Sequence, residues 1–317
     1  MSSVEPSVAT LKLGADDLGA PPLTLGQMTW RRFRRHKMAL AGAVVIVLLF
    51  VYAFGGALLY SEADANFTDT GLRLTGPTAA HPFGTDTVGR DILIRTIYGG
   101  QISLLIGLTA VILETIIGVL IGALAGYYGG KIDTILMRFT EAALNIPQLF
   151  LLIVMAKFFG GAIPDVTVLG RTFSGSVVVI ILIIGLTSWM YLARIVRAEF
   201  LSVKENEFIL AARAIGTPNW EIIFKHILPN SIAPIVVSAT LGVANAILAE
   251  AYISFLGLGV QPPTATWGNM LDGSYNYIKT APWLWIFPGL LIVLTVLSIN
   301  FVGDGLRDAL DPRSRAA

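Results

Sequence analysis

The closest approach to catalytic chemistry in this sequence is "AGYYGGKI", residues 125–132. A phosphate-binding loop of the form G-x-x-x-x-G-K-[ST] uses backbone amides to cradle phosphates and a terminal hydroxyl to hold magnesium. Here Ala125 stands where the first glycine belongs and Ile132 where the hydroxyl belongs, so ATP hydrolysis is not expected of this chain. The three histidines, His36, His81 and His226, are scattered, and neither H-E-x-x-H nor G-x-S-x-G occurs. The sequence has no cysteine, which removes thiolate nucleophiles, disulfides and Cys-ligated metal and leaves the compartment unread by redox chemistry. An intramembrane hydrolase would be the enzymatic alternative, yet no catalytic residue and no metal ligand set is assigned.

What must position any site is a membrane fold. Of the 317 residues, 55% are hydrophobic and only 14% charged, against about 25% charged in soluble domains; mean hydropathy is +0.72. A bilayer core of about 30 Å takes roughly 20 apolar residues per helical crossing. Six runs qualify, at about 39–60, 102–127, 134–158, 177–196, 232–256 and 283–302. They are continuous rather than alternating, which predicts an all-α integral membrane bundle and not a barrel. The first run lies behind a long polar tail, over about 1–26, and is read as a retained helix rather than a signal peptide. The transmembrane domain then covers 27–317.

Basic residues in short loops mark the cytoplasmic side. "WRRFRRHK" carries Arg31, Arg32, Arg34, Arg35 and Lys37 before the first run, while Glu62, Asp64, Asp69, Asp86 and Asp91 follow it. The N-terminus is therefore expected inside. Six crossings return the C-terminus, with Arg307, Arg313 and Arg315, to the same side.

Within the runs, ionisable and polar residues are few, and each has two readings. Glu114 is the one carboxylate well inside a run. It would be the relay of a gradient-driven transporter, a lining residue of a pathway, or a structural hydrogen-bonding group; a single acid without a charged partner makes a poor relay. Asn145 and Gln148 flank Pro147, which is expected to kink the third helix, as Pro288 is expected to kink the sixth. These amides would line a pathway or bond to other helices. Gly118, Gly122 and Gly126, four apart, form a small-residue stripe for close packing, within the subunit or against a second one. Outside, Asp86, Arg90 and Asp91 are candidates for partner docking or an outer gate, or else a local ion network. "GLGVQPPTATWGNML" is too polar to span and predicts an outer or re-entrant element, with Trp267 at the membrane interface.

The segment between the fourth and fifth runs, about 203–229, is long for a connection and amphipathic. Phe208, Ile209, Ala212 and Ile215 recur at helical spacing, Gly216 ends that helix, and Thr217 and Pro218 start a second with Trp220, Ile223, Phe224 and Ile227 on one face. Such a corner would rest on lipid or fit a cleft in a soluble partner.

The corner resembles the EAA loop of ATP-binding-cassette importer permeases: Leu210-Ala211-Ala212, then Gly216 after three residues, then His226-Ile227-Leu228-Pro229 after nine more. The acidic position of the pattern is Leu210 and its isoleucine is His226, so no role of that glutamate is carried over. "RHKMALAG", "HPFGTDTVGRDILIRTIYGGQISLLIG", "GYYGGKIDTILMRFTEAALNIPQ", "AEAYISFLGLGVQPPTATWGNML" and "VGDGLRDALDPR" look like the C-type permease subunits of dipeptide, oligopeptide and nickel importers. The resemblance implies a type I importer permease, pairing with a second homologous permease, two cytoplasmic ATPase subunits that bind ATP and magnesium, and an extracytoplasmic solute-binding protein, in a bacterial or archaeal cell membrane. Nucleic acid has no part in it. Peptides head the implied substrates, with nickel chelates, glutathione and other small solutes behind. The EAA loop would then seat in an ATPase groove, with Ala211, Ala212, Gly216 and Pro229 setting its geometry and Phe208, Trp220 and Ile223 as groove contacts.

Overall fold

The computed structural model describes residues 24–168 and 171–311. Most of the tail expected over 1–26, and Arg313 and Arg315, lie outside these residues. The helices are α1 Leu25–Phe33, α2 Lys37–Phe50, α3 Glu62–Asn66, α4 Ile92–Tyr128, α5 Gly130–Leu144, α6 Gln148–Phe159, α7 Gly175–Ser188, α8 Met190–Val203, α9 Glu207–Ala214, α10 Asn219–Glu221, α11 Leu228–Asn230, α12 Ile232–Phe255 and α13 Trp283–Leu310. A single antiparallel hairpin, β1 Val166–Val168 with β2 Arg171–Phe173, lies between α6 and α7. The bundle is all-α in class. Four helices are each long and apolar enough to cross a membrane, and counting α5 with α6 and α7 with α8 as bent pairs gives six.

Several boundaries differ from the sequence reading, each for a local reason. Basic "WRRF" belongs to α1, capped by Thr24, whose hydroxyl accepts from the Gln27 amide while the Gln27 side chain accepts from the Thr24 amide. Phe33 turns inward onto Ala39 and Ala309. The first span ends at Gly55 rather than 60, its last residues widened into a π turn over Val51–Gly55. The second begins ten residues early: Asp91 accepts from the Ile94 amide at 3.0 Å, and Ile92 to Leu104 are mostly buried, so the helix runs on past its membrane-length core.

The third span is not kinked but broken. Pro147 forces Ile146 out of the helical region, and α5 and α6 meet at 84° across the break. α7 and α8 meet at 42° at Trp189. Pro288, by contrast, sits near the start of α13 and leaves it continuous from Trp283 to Leu310, because only the bond to the Leu284 carbonyl is forgone there.

α4 packs along α8, and the glycine stripe is the reason. A Cβ on Gly122 would lie 2.5 Å from the Ala193 carbonyl oxygen, and one on Gly126 2.6 Å from Phe200 Cβ. The stripe therefore serves packing within the subunit. The element 257–271 packs against α4 and α12, and Trp267 is fully buried there rather than interfacial.

Candidate functional site

Two places gather the residues singled out above: the corner between α8 and α12, and the breaks in the bent pairs.

At the corner, α9 closes on Gly216. Its backbone has φ +81°, the left-handed value that glycine adopts at least cost, and Thr217 N donates to Ala212 O at 3.1 Å and Gly216 N to Arg213 O at 3.0 Å. This is a Schellman ending. The restart comes one residue later than the sequence suggested: Pro218, not Thr217, precedes the first helical residue, Asn219. Beyond it the backbone widens into a π turn over Ile222–Ile227.

That widening changes which side faces in. With bonds reaching five residues along, Ile222, Ile223 and Ile227 share the inner face and are 0, 8 and 0% exposed. Ile223, expected as a groove contact, packs inside this subunit. Trp220 and Phe224, expected on one face with Ile223 and Ile227, are 59 and 56% exposed. On α9 only Ile209 and Ala212 are buried, while Phe208, Leu210 and Ile215 face out. Ala211, Gly216 and Pro229 are exposed as well. The corner thus offers a ridge of five large apolar side chains, Phe208, Leu210, Ile215, Trp220 and Phe224.

The ridge sits on a pinned base. The Tyr127 hydroxyl donates to Asn219 Oδ1 at 2.7 Å, and the Arg213 guanidinium stands 5.3 Å over the Tyr127 ring. Lys204 Nζ donates to the Gly126 carbonyl at 3.1 Å. Arg197 on α8 holds Asp133 of α5 with both Nε and Nη2, the latter at 2.6 Å, the two-pronged geometry that orients as well as binds. Burying Ile209, Ile222 and Ile227 under it stabilises the base by roughly 1.5–3 kcal/mol each. Of these anchors, Tyr127, Arg197, Asp133 and Asn219 carry no local sequence signal, since their partners lie 64 and 92 residues away.

At the breaks, Gln148 Nε2 donates to Ser188 Oγ at 3.2 Å and joins the two bent pairs. Asn145 Nδ2 donates back to the Glu141 carbonyl at 2.8 Å. Glu114 lies elsewhere, half-buried on α4 where α12 approaches through Gly242. It has no hydrogen-bond or ion-pair partner among the described residues.

Ahead of α4, Asp86, Arg90 and Asp91 are engaged locally. Asp86 accepts from Val88 N and Arg90 N at 2.9 Å each and from Arg90 Nε at 2.7 Å. Asp91 caps α4 and accepts from His81 Nδ1 at 2.7 Å. These residues build the turn entering α4. Nearby, the Ser61 hydroxyl and amide hold the exposed Asp64 carboxyl below the usual carboxylate range.

Residues 118–316 match the family described as binding-protein-dependent transport system inner membrane component, and residues 24–77 match the N-terminal transmembrane domain of oligopeptide transport permease C. The chain belongs to the binding-protein-dependent transport permease family. It is 42% identical to the dipeptide transport system permease protein DppC of Alkalihalophilus pseudofirmus, over 90% of both chains. It is 39% identical to the oligopeptide transport system permease protein OppC of Haemophilus influenzae, over 92% of this chain and 90% of that one. Among solved structures it resembles the inward-facing MetNI methionine ABC transporter, with a TM-score of 0.51 and 21% identity over 67% of this chain and 94% of that one. The last likeness is one of fold.

Proposed function

We propose that this chain is a permease subunit of an ATP-driven importer and forms half of the pathway by which di- and oligopeptides cross the cell membrane. Peptides are favoured over nickel chelates, glutathione or other small solutes because the relatives named above are dipeptide and oligopeptide permeases. In this reading the bent pairs each count as one span, giving six crossings with both termini in the cytoplasm. A second permease completes the pathway, two ATPase subunits bind ATP and magnesium, and an extracytoplasmic binding protein meets the outer rim shaped by Asp86, Arg90 and Asp91.

The observation that carries the reading is the exposed ridge on an otherwise tightly bonded corner. Large apolar side chains held out on a rigid base mark a surface that a partner covers, and a helical ridge entering a groove is a common mode of recognition. Phe208 and Trp220 fill the ATPase groove, and Ala211, Ala212, Gly216 and Pro229 fix the angle at which they enter.

The test is purification of the tagged complex in mild detergent. Phe208→Asp combined with Trp220→Asp is expected to keep the second permease and lose the ATPase. Retention of the ATPase at wild-type stoichiometry would remove the corner from the coupling interface.

Glu114 separates this mechanism from a gradient-driven one. An ATP-driven permease does not need a proton relay, so Glu114→Gln is expected to leave peptide uptake unchanged. Loss of uptake, with the complex still assembled and hydrolysing ATP, would reinstate the relay.

A further inference from the structure

The broken third span carries a polar stripe that neither lipid nor this subunit accounts for. Arg138 and Glu141 on α5, Asn145 at its C-cap and Gln148 at the first position of α6 lead up to and across the break, and all four are exposed. Arg138 and Glu141 are paired at 3.4 Å with side chains 80 and 57% exposed. Backbone at membrane depth that is not helical survives only where protein or water satisfies it. Ile146 and Pro147, at the break, are exposed as well.

The chemistry changes along the stripe. Its first half is an ion pair; its second half is neutral and amide-rich. Asn145 and Gln148 each use one N–H within the chain, to the Glu141 carbonyl and the Ser188 hydroxyl. The Asn145 Oδ1 and Gln148 Oε1 acceptors have no partner among the described residues. Gln148 and Ser188 also bridge the two breaks, so the open groups stand where both bent spans change direction.

We infer that Asn145, Gln148 and Ser188 form a subsite in the translocation pathway that hydrogen-bonds the main-chain amides of a passing peptide. The inference rests on the peptide-import reading and names residues of that pathway. A carrier that accepts many peptides must bind what all of them share, an N–H beside a C=O. A side-chain amide presents the same pair in reverse. Because the cluster is uncharged, it neither repels nor retains acidic or basic side chains.

The test reads charge. Uptake of an acidic and a basic dipeptide, Asp-Ala and Lys-Ala, is measured in cells whose own transporter is replaced by the complete complex carrying wild-type chain, Gln148→Glu or Gln148→Lys. The binding protein is the same throughout, so changes in the uptake ratio arise in the permease. Gln148→Glu is expected to shift the ratio toward Lys-Ala and Gln148→Lys toward Asp-Ala. Each substrate should move about fivefold, the size of one unit-charge pair a few ångströms apart in water, and in opposite directions, so the ratio should shift about 25-fold. A structural role would lower both substrates together.

An unchanged ratio in both variants, with uptake retained, overturns the subsite. So does loss of the second permease on purification, which would place the stripe in the subunit interface. Asn145→Asp and Asn145→Lys, read in the same way, decide the matter if the Gln148 variants do not accumulate. Failure of the wild-type complex to take up either dipeptide would overturn the peptide reading itself.

Discussion

Gly216→Pro is expected to abolish uptake while the chain still enters the membrane and still assembles with its second permease. Proline fixes φ near −65°, whereas Gly216 has φ +81°. The substitution also deletes the N–H that closes α9 on the Arg213 carbonyl. No relaxation of neighbours repairs this, because the conflict lies in the backbone. The second arm of the corner must leave in another direction, carrying Trp220 and Phe224 with it. Gly216→Ala is the control: a Cβ there meets nothing within 4 Å, so its only cost is the left-handed conformation, about 1–2 kcal/mol, and partial uptake should survive. Uptake by Gly216→Pro at the wild-type rate, measured with the ATPase activity of the same complex, would sever the corner from transport.

Trp267→Ala is expected to be the most damaging single truncation. The indole is fully buried, its Nε1 donates to the Thr96 carbonyl at 2.9 Å, and its backbone N–H donates to Ser103 Oγ at 3.1 Å. Ser103 and Ser254 in turn donate to the buried Glu250 carboxyl, at 3.3 and 2.7 Å. The socket is shaped for a large ring: a Cβ on Gly100 would lie 2.7 Å from it. Truncating a buried tryptophan costs about 3–5 kcal/mol, a large share of the 5–15 kcal/mol that typically holds a domain together. Trp267→Phe keeps most of the volume and loses one hydrogen bond, about 1 kcal/mol. Thermal unfolding of the detergent-solubilised complex should therefore rank wild type above Phe and Phe well above Ala. Equal midpoints for wild type and Trp267→Ala would show that the segment 257–271 is held by something else.

Much of this architecture was legible because its signals are local. Long apolar runs marked the four long helices and the two bent pairs, and the glycine at 216 marked the corner, since both depend only on neighbours in sequence. The breaks were half legible: Pro147 announced an interruption, but an 84° turn depends on what α6 packs against. The Trp189 bend had no breaker at all. At the corner, the single face expected at 3.6 residues per turn is split: a π turn over Ile222–Ile227 sets Ile222 with Ile223 and Ile227 on the inner side and leaves Trp220 and Phe224 outside. Trp267 was misplaced because an aromatic in a polar, Pro-rich stretch reads as interfacial until the socket that swallows it is known. The clasp between Asp133 and Arg197, and the pairing of Gln148 with Ser188, belong to tertiary structure alone.

That clasp gives α8 the character of a crank. Its 14 residues make a rod of about 20 Å, so a swing of about 10° at the corner displaces the far end by some 3–4 Å. The far end is Met190, two residues from Ser188. The same stroke pulls on α5 through Arg197 and Asp133, and α5 leads to Gln148. A swing of α8 would thus reach both sides of the Gln148–Ser188 contact, while the close approach at Gly122 and Gly126 keeps α8 against α4.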